Sequence, residues 1–248
     1  DYFIQPIFNC CLINIGDMLD NGTVMNGKMI ESPKSFQVAC TVMTQIIAAV
    51  ASSQYGGQSI NINHLGKYLK YTEDKFRKKL ENKYKDSISD KLIESLVQDK
   101  LNEELSGGVQ TIQYQINTLM TTNGKSPLVT LFLYLDENDK YLDYSAKIIE
   151  EILEQRNKGI KDYNGNLITP NIPKLVYVIG DNNNLDNKKY DYITELAIKC
   201  STKGLNIDYM SSKLMKENYN NVFSPIGNKK FLCNYKNKYE GRFNQGVV

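Results

Sequence analysis

The chain has 248 residues, of which 41% are hydrophobic, and its 30 basic and 28 acidic side chains leave a formal net charge of +2. This length allows one large α/β domain or two small ones, and so small a net charge gives no electrostatic basis for binding nucleic acid or an anionic membrane. The sequence has no apolar run long enough to span a bilayer and no signal-peptide pattern at its N-terminus.

The cysteines lack the CxxC spacing of a zinc site or a redox motif; they are Cys10, Cys11, Cys40, Cys200 and Cys233. Their odd number and their scatter predict neither a metal site nor a disulfide framework. We therefore expect a reduced, cytoplasmic protein. His64 is the single histidine, which excludes a multi-histidine metal site. A lone histidine is more often a packed or surface residue than a catalyst.

The N-terminal part predicts a strand, a turn region and a helix. Phe8 to Ile15 is apolar and β-prone without helical spacing, which indicates a buried strand. Asp17 to Gly27 is rich in Asn-Gly turn pairs. Pro33 to Ser53 has apolar residues at steps of three and four, and we expect a helix with Ser32 as its N-cap and Pro33 at its first position.

A glycine pair and two polar residues follow this helix: Gly56, Gly57, Gln58 and Ser59. Bare backbone N–H groups beside an amide and a hydroxyl can hold a ribose or a phosphate. The alternative is that the glycines only end the preceding helix. The residues alone leave both interpretations open.

Charged and amide-rich segments predict further helices. Thr72 to Leu105 is highly charged and helical, in two pieces that meet near Asp86. We expect Gly107 and Gly108 to break the chain before an amide-rich helix, Val109 to Met120. Thr121 to Pro127 follows as a flexible polar loop.

Apolar strands and amphipathic helices then alternate: strand Leu128 to Leu135, helix Asp143 to Asn157, strand Lys174 to Ile179 and helix Tyr190 to Lys203. This alternation predicts an α/β layered or barrel fold with a largely parallel sheet. After a tight bend at Pro225 and Gly227, Gly246 to Val248 has the character of a buried strand at its beginning. We expect one domain, and an incomplete one, because its first and last strands are cut at the chain ends.

Six stretches carry a resemblance: NCCLINIGDMLDNGT from Asn9, ASSQYGGQSI from Ala51, GVQTIQYQINTLMTTNGKSP from Gly108, TPNIPKLVYVI from Thr169, YITELAIKCSTKGLNIDYMS from Tyr192 and GRFNQGVV from Gly241. In this order, and over nearly the whole chain, they resemble the class III, oxygen-sensitive anaerobic ribonucleoside-triphosphate reductases. The stretch QTIQYQINTLMTTNG is specific enough to carry the assignment.

The resemblance implies a ten-stranded α/β barrel of two half-barrels, of which this chain is similar to the first. It implies replacement of the ribose 2′-hydroxyl by hydrogen for DNA synthesis. In the family, a glycyl radical oxidises a loop cysteine, the thiyl radical takes the 3′-hydrogen, and a first-strand cysteine helps the hydroxyl leave. Formate or a thiol system restores the electrons. For the full-length protein the resemblance implies zinc, dNTP and ATP effectors, a radical-SAM activating enzyme and a homodimer.

Carried over by position, Cys10 matches the first-strand cysteine, and Cys11 on the other strand face is expected to be a packing thiol. The substrate side of the barrel is matched by Gly56, Gly57, Gln58 and Ser59. The loop that relays effector identity to substrate choice is matched by Thr121, Thr122, Asn123, Gly124, Lys125 and Ser126. The region of the dimer interface and effector site is matched by the helix Ser35 to Ser53 and the charged helix after Thr72.

The chain departs from the family where the radical-bearing cysteine is expected. The family reads Met-Gly-Cys-Arg after a proline, whereas Pro225 is followed here by Ile-Gly-Asn-Lys, which puts Asn228 at the thiyl-radical position. An amide has no weak S–H bond to break and reform. Cys233 could replace it only if the loop shifted by roughly 15 Å of extended chain. We hypothesise that this copy is inactive in nucleotide reduction.

Two interpretations remain open. The first is the N-terminal catalytic half of a reductase, completed by the rest of its chain or, in a split enzyme, by a second chain. The second is a degenerate reductase that binds nucleotides or a partner without chemistry. In either case we expect residues 1–248 to form one partial barrel domain, without the family's N-terminal regulatory part, and with the glycyl-radical segment and its zinc-binding cysteines lying beyond Val248.

Overall fold

The computed structural model describes residues 10–53, 56–84, 88–121, 124, 126–226, 230–231 and 243–246. Its helices are α1 (Ile15–Asp20), α2 (Phe36–Ser53), α3 (Gly66–Tyr84), α4 (Asp90–Thr118), α5 (Leu142–Lys158), α6 (Asp191–Thr202) and α7 (Ser212–Tyr219), with a 3-10 helix at Ile62–Leu65. Its strands are β1 (Cys10–Ile13), β2 (Thr23–Met25), β3 (Lys28–Ile30), β4 (Gln58–Asn61), β5 (Val129–Leu133), β6 (Ile160–Lys161), β7 (Leu167–Ile168), β8 (Lys174–Ile179), β9 (Ile207–Ser211), β10 (Pro225–Ile226), β11 (Lys230–Phe231) and β12 (Phe243–Gly246). No helix within these described ranges has the length and apolar content that crossing a membrane requires.

Six of these strands form one sheet in the order β12-β1-β4-β5-β8-β9. The neighbours from β1 to β9 run parallel, and β12 pairs with β1 in the antiparallel sense. The register places Leu12 beside Ser59, Ser59 beside Thr130, and Thr130 beside Lys174. The largely parallel α/β sheet that the sequence predicts is confirmed.

The two faces of the sheet have different surroundings. One packs against α2 to α6 in the main hydrophobic core, to which the strands contribute Cys11, Ile13, Ile60, Leu131 and Tyr177 among others. Side chains alternate along a strand, so the opposite face, called the inner face below, carries Cys10, Leu12, Ser59, Thr130, Phe132, Lys174 and Val176. A second apolar cluster lies on the inner face, where Phe132 and Val176 pack with Met210 and Val222.

The region after β1 is more helical than the sequence predicts. The strand ends at Ile13, and α1 follows directly, because the side chain of Asn14 accepts a hydrogen bond from the N–H of Asp17 at 3.2 Å and caps the helix. The predicted turn at Asn26 and Gly27 is confirmed. Both residues have positive φ and join β2 to β3, as a two-residue hairpin turn requires.

The start of α2 was predicted wrongly. The helix begins at Phe36, whose N–H donates to Thr72 Oγ1 at 2.8 Å, and the next N–H, of Gln37, donates to Glu104 Oε1 at 3.0 Å. Side chains of α3 and α4 therefore satisfy the free N–H groups, rather than a local cap at Ser32. The prediction that the charged helix starts at Thr72 is also wrong, because Thr72 is buried inside α3.

The predicted break at Gly107 and Gly108 is wrong as well. Helix α4 continues through both residues, and the glycine at 108 lets α4 approach α2 closely. A Cβ at position 108 would lie 2.4 Å from Phe36 Cε1 and 3.1 Å from Cys40 Sγ. Close helix packing, rather than a turn, explains this glycine.

Between Thr72 and Lys203 the other predictions agree with the structure within a few residues. Of the C-terminal predictions, Pro225 lies in β10 and Gly246 ends β12, whereas Gly227, Val247 and Val248 lie outside the described residues. The charged helical region is divided between Tyr84 and Asp90, and β5, α5, β8 and α6 lie where apolar runs and helical spacing place them. Two strands of the main sheet were not predicted: β4, which starts at Gln58, and β9. The two glycines before β4 are therefore at a helix-to-strand connection.

Candidate functional site

Cys10 and Cys11 lie on opposite faces of β1. Cys11 is fully buried in the main core, and burial, together with the neighbouring Cys10, raises its pKa to about 12. Cys10 is half-buried on the inner face, and its backbone lies opposite Gly246 of β12. Alternation along the strand thus separates a packing thiol from an accessible one, as the sequence predicts for Cys11.

The segment from Gly56 to Ser59 runs beside Cys10. The carbonyl of Gly57 accepts the N–H of Cys11 at 3.1 Å, so this glycine joins the end of the parallel ladder. Gln58 is buried, and its Nε2 donates to the carbonyl of Ile47 in α2 at 3.0 Å, so its side chain points to the helix side. Ser59 is on the inner face with Cys10. The structure thus brings Cys10, Gly57 and Ser59 together and directs the Gln58 side chain away from them.

Ser59 has a partner that sequence reasoning missed. Its hydroxyl shares a hydrogen bond with the hydroxyl of Ser224, with an oxygen–oxygen distance of 2.6 Å. Ser224 precedes β10, which pairs with β11 and lies beside β1 and β4. A pairing across 165 positions leaves no signal in a single sequence.

The hairpin β10–β11 brackets the position that the family resemblance singles out. Pro225 pairs with Phe231, and Ile226 pairs with Lys230. The connecting residues 227–229, which include Asn228, lie outside the described residues, as does Cys233. The described stem nevertheless places this hairpin next to the strand that carries Cys10.

The predicted specificity loop connects α4 to β5. Thr121 is buried, and its carbonyl accepts the N–H of Gly124 at 2.9 Å, while Ser126 is exposed. Thr122, Asn123 and Lys125 lie outside the described residues. The loop ends at Leu128, whose carbonyl accepts the N–H of Gln58 at 2.8 Å. It therefore reaches the same edge of the sheet as the Gly56–Ser59 segment.

A polar row crosses the inner face at this edge. Ser59, Thr130 and Lys174 are adjacent in register, and Lys174 Nζ lies 2.7 Å from the carboxylate of Asp208 in β9. The sequence contains a signal for this polar row, because Thr130 interrupts the apolar run of β5 and Lys174 is the first residue of β8. These residues were nevertheless not predicted as part of the site.

His64 has a structural position. It is largely buried, and its Nδ1 accepts the N–H of Gly16 at 3.0 Å, which holds α1 against the 3-10 helix. Burial lowers its pKa, although the carboxylates of Asp20 and Asp139 act in the opposite direction. This contact gives His64 a packing position, one of those that the sequence favours for a lone histidine.

The chain is similar to known proteins in its sequence and in its fold. The whole chain, residues 1–248, matches the family model described as anaerobic ribonucleoside-triphosphate reductase. The protein of that name from Enterobacteria phage T4 is 35% identical over 255 aligned residues, which cover 98% of this chain and 40% of the phage protein. The protein of that name from Haemophilus influenzae is 33% identical over 251 residues, which cover 98% of this chain and 34% of its own length.

Solved structures with similar folds include the anaerobic ribonucleotide reductase from Thermotoga maritima. Its complex with dATP and CTP superposes with a TM-score of 0.53 at 12% identity, covering 86% of this chain and 34% of that one. The form with dATP bound in the specificity site gives a TM-score of 0.55 at 13% identity, with coverage of 86% and 35%. At this identity the likeness shows the fold, an α/β barrel of which this chain covers part.

The chain thus spans between 34% and 40% of the length of these curated relatives. Its sequence matches the family model from end to end, and its sheet superposes on part of the reductase barrel. On these findings the chain belongs to the anaerobic ribonucleoside-triphosphate reductase family.

Proposed function

We propose that this chain is the first half of the catalytic barrel of an anaerobic ribonucleoside-triphosphate reductase. A whole protein with a cysteine at position 228 would reduce ribonucleoside triphosphates to deoxyribonucleotides by radical chemistry for DNA synthesis. The observation that carries the proposal is the position of Cys10, a half-buried thiol on the inner face, beside Ser59 and the hairpin β10–β11. Family membership over the full length of the chain supports it.

We propose that residues 1–248 form a single partial barrel domain of a longer chain. Support comes from the main core, which joins the strands to α2 through α6 in one cluster. The N-terminal regulatory part, the glycyl radical and the zinc site of the family belong to the remainder of the protein in this proposal. A homodimer, dNTP and ATP effectors and a radical-SAM activating enzyme complete the system. A cytoplasmic location is supported by the free thiols of Cys10, Cys11, Cys40 and Cys200.

The residues of this chain receive the following roles. In a competent enzyme the Cys10 thiol would give the proton with which the 2′-hydroxyl leaves as water, and formate or a thiol system would supply the two electrons of the reduction and restore the thiol. Gly56, Gly57 and Ser59 line the substrate side, and Gln58 holds this segment to α2 through its bond to Ile47. The polar row formed by Thr130 and Lys174 extends the same surface.

Residues Thr121 to Ser126 are proposed as the specificity loop. The loop leaves α4 and ends at Leu128, which bonds to the backbone of Gln58. A displacement of the loop would therefore reach the substrate side through a backbone hydrogen bond. Effector identity would then act on the Gly56–Ser59 segment without a direct contact between effector and substrate.

We infer that this copy does not reduce nucleotides, because Asn228 stands at the position of the thiyl-radical cysteine. An amide side chain has no S–H bond to supply the radical. This residue favours the second candidate function, a reductase-like protein that binds nucleotides or a partner without chemistry. One half of a split enzyme remains the third arrangement compatible with Asn228, provided that the partner chain supplies the radical cysteine.

The test is an anaerobic reduction assay on the protein expressed from its complete reading frame with its activating enzyme. We expect no deoxyribonucleotide from the unaltered protein, formation with Asn228→Cys, and none with the control Asn228→Ser. Turnover by the unaltered protein would contradict the inferred inactivity. If Asn228→Cys folds and binds ribonucleoside triphosphates but stays inactive, the reductase proposal fails and the binding function stands.

A further inference from the structure

The hydroxyl pair of Ser59 and Ser224 joins two parts of the inner face that are distant in sequence. Ser59 is 2% exposed and lies beside Leu12, two positions along β1 from Cys10. Its hydroxyl is 2.6 Å from that of Ser224, which directly precedes β10. A hydroxyl as deeply buried as that of Ser59 needs a hydrogen-bond partner, and Ser224 provides it, while the half-buried Ser224 hydroxyl also lies 3.5 Å from the carbonyl oxygen of Pro225.

A second contact holds the same segment to the sheet. Val222 packs on the inner-face cluster that includes Phe132 and Val176. The segment from Val222 to Ser224 is therefore attached by an apolar contact at one end and by a partly buried hydrogen bond at the other. Beyond it, the stem of the hairpin lies beside β1 and β4.

We propose that Ser59 is a positioning residue, which acts through Ser224 to fix the hairpin β10–β11 against β4 and against β1, the strand that carries Cys10. The Ser59–Ser224 pair would set the position of the described stem of this hairpin relative to β1 and β4. The importance of that position for catalysis rests on the proposed function. The hydrogen bond and its effect on the hairpin do not.

Hydrogen exchange of the 248-residue chain, followed by mass spectrometry, tests the pair. We expect Ser59→Ala and Ser224→Ala each to speed exchange of the hairpin peptides about fivefold, as the loss of one hydrogen bond of about 1 kcal/mol gives. The double variant should exchange no faster than either single variant, because both changes remove the same bond. Ser224→Thr keeps a hydroxyl and should retain most of the protection.

The control is Ser89→Ala, since Ser89 is exposed at the start of α4 and makes no side-chain capping bond. This variant should leave the hairpin peptides unchanged. The proposal is overturned if the single variants exchange like the unaltered chain, or if their effects multiply in the double variant. An equal effect of Ser89→Ala would also overturn it, because the response would then be unspecific.

A second measurement covers the case in which an alanine variant fails to fold. The double variant Ser59→Cys with Ser224→Cys should form a disulfide under mild oxidation, since the two side chains already meet. The peptides containing positions 59 and 224 should then be linked, and exchange in the hairpin should slow. A folded double variant without this link would contradict the proposal. Neither measurement uses nucleotide or activity, so a failed reductase assay leaves both results interpretable.

Discussion

Substitution of the two adjacent glycines in α4 separates a packing role from a backbone role. Gly108 faces α2, and a Cβ there would lie 2.4 Å from Phe36 Cε1 and 2.6 Å from Phe36 Cδ1. At Gly107 the nearest atom is Gln37 Oε1, at 3.3 Å and at the end of a flexible side chain. Both residues are helical, so their alanine variants differ mainly in what the added methyl group meets.

The structure gives opposite signs for the two substitutions. In a helix interior, alanine is favoured over glycine by about 0.8–1.0 kcal/mol. At position 108 this gain competes with overpacking against a fully buried ring, which costs about 1–3 kcal/mol or more when the neighbour cannot move. We expect Gly108→Ala to lower the free energy of unfolding by about 1–2 kcal/mol and Gly107→Ala to raise it by up to about 1 kcal/mol.

Urea unfolding followed by circular dichroism measures both variants against the unaltered chain. We expect the slope of the free energy of unfolding against urea concentration to be the same in all three proteins. The urea concentration at the midpoint of unfolding should then fall for Gly108→Ala and rise or stay constant for Gly107→Ala. A Gly108→Ala variant as stable as the unaltered chain would refute the close contact between α2 and α4. Equal losses in both variants would show that α4 is interrupted there, as the sequence alone suggests.

Two further predictions concern buried cationic or titratable groups. The guanidinium of Arg156 is buried and donates hydrogen bonds to the carbonyls of Pro170 and Pro173. Arg156→Met leaves both carbonyls without a donor, so it should lower the free energy of unfolding by about 2–4 kcal/mol. Urea titration measures this loss. Burial lowers the pKa of His64 below its ordinary value of about 6.5. As the pH falls, His64 is therefore protonated in the unfolded chain before it is protonated in the folded chain. The free energy of unfolding should accordingly decrease as the pH drops below about 6.5. His64→Gln should remove this part of the pH dependence, and an unchanged pH profile would contradict the buried neutral imidazole.

The parts of the fold that follow from local sequence were predictable. Strand β8 and helices α5 and α6 have apolar patterns that fix both their type and their approximate ends. The start of α2 was not predictable, because Thr72 and Glu104 on other helices satisfy its first N–H groups. Gly108 looks like a helix breaker until its neighbour across the helix interface is known.

The candidate site was predictable in position but not in detail. Cys10 was proposed by resemblance and the glycine pair from the residues themselves, and both remain predictions, whereas alternation correctly assigned Cys11 to the core. Strand β4 was missed, so the alternation that turns Gln58 away and Ser59 inward could not be applied. Ser224 could not be found at all, because only the folded chain brings it to Ser59.

The candidate site lies at an unusual edge of the sheet for an α/β fold. Ligands of open parallel α/β sheets bind outside the carboxyl ends of the strands. Here Gln58 and Ser59 are the first two residues of β4, so this part of the segment assigned by resemblance lies near the amino end of its strand. A general rule for α/β sheets would direct attention to the opposite edge, whereas the motif matches point to this one.

The most direct test of the account is the reactivity of Cys10 in the 248-residue chain. Brief alkylation should label Cys10 well before the buried Cys11 and Cys40. Peptide fragmentation in the mass spectrometer distinguishes label on Cys10 from label on Cys11. Cys10→Ser should abolish the fast labelling of the N-terminal peptide. Ribonucleoside triphosphate should slow the reaction at Cys10 if the inner face binds substrate. Faster labelling of Cys11 would contradict the assignment of the strand faces, and labelling of Cys10 at the same rate with and without nucleotide would contradict the proposed substrate site.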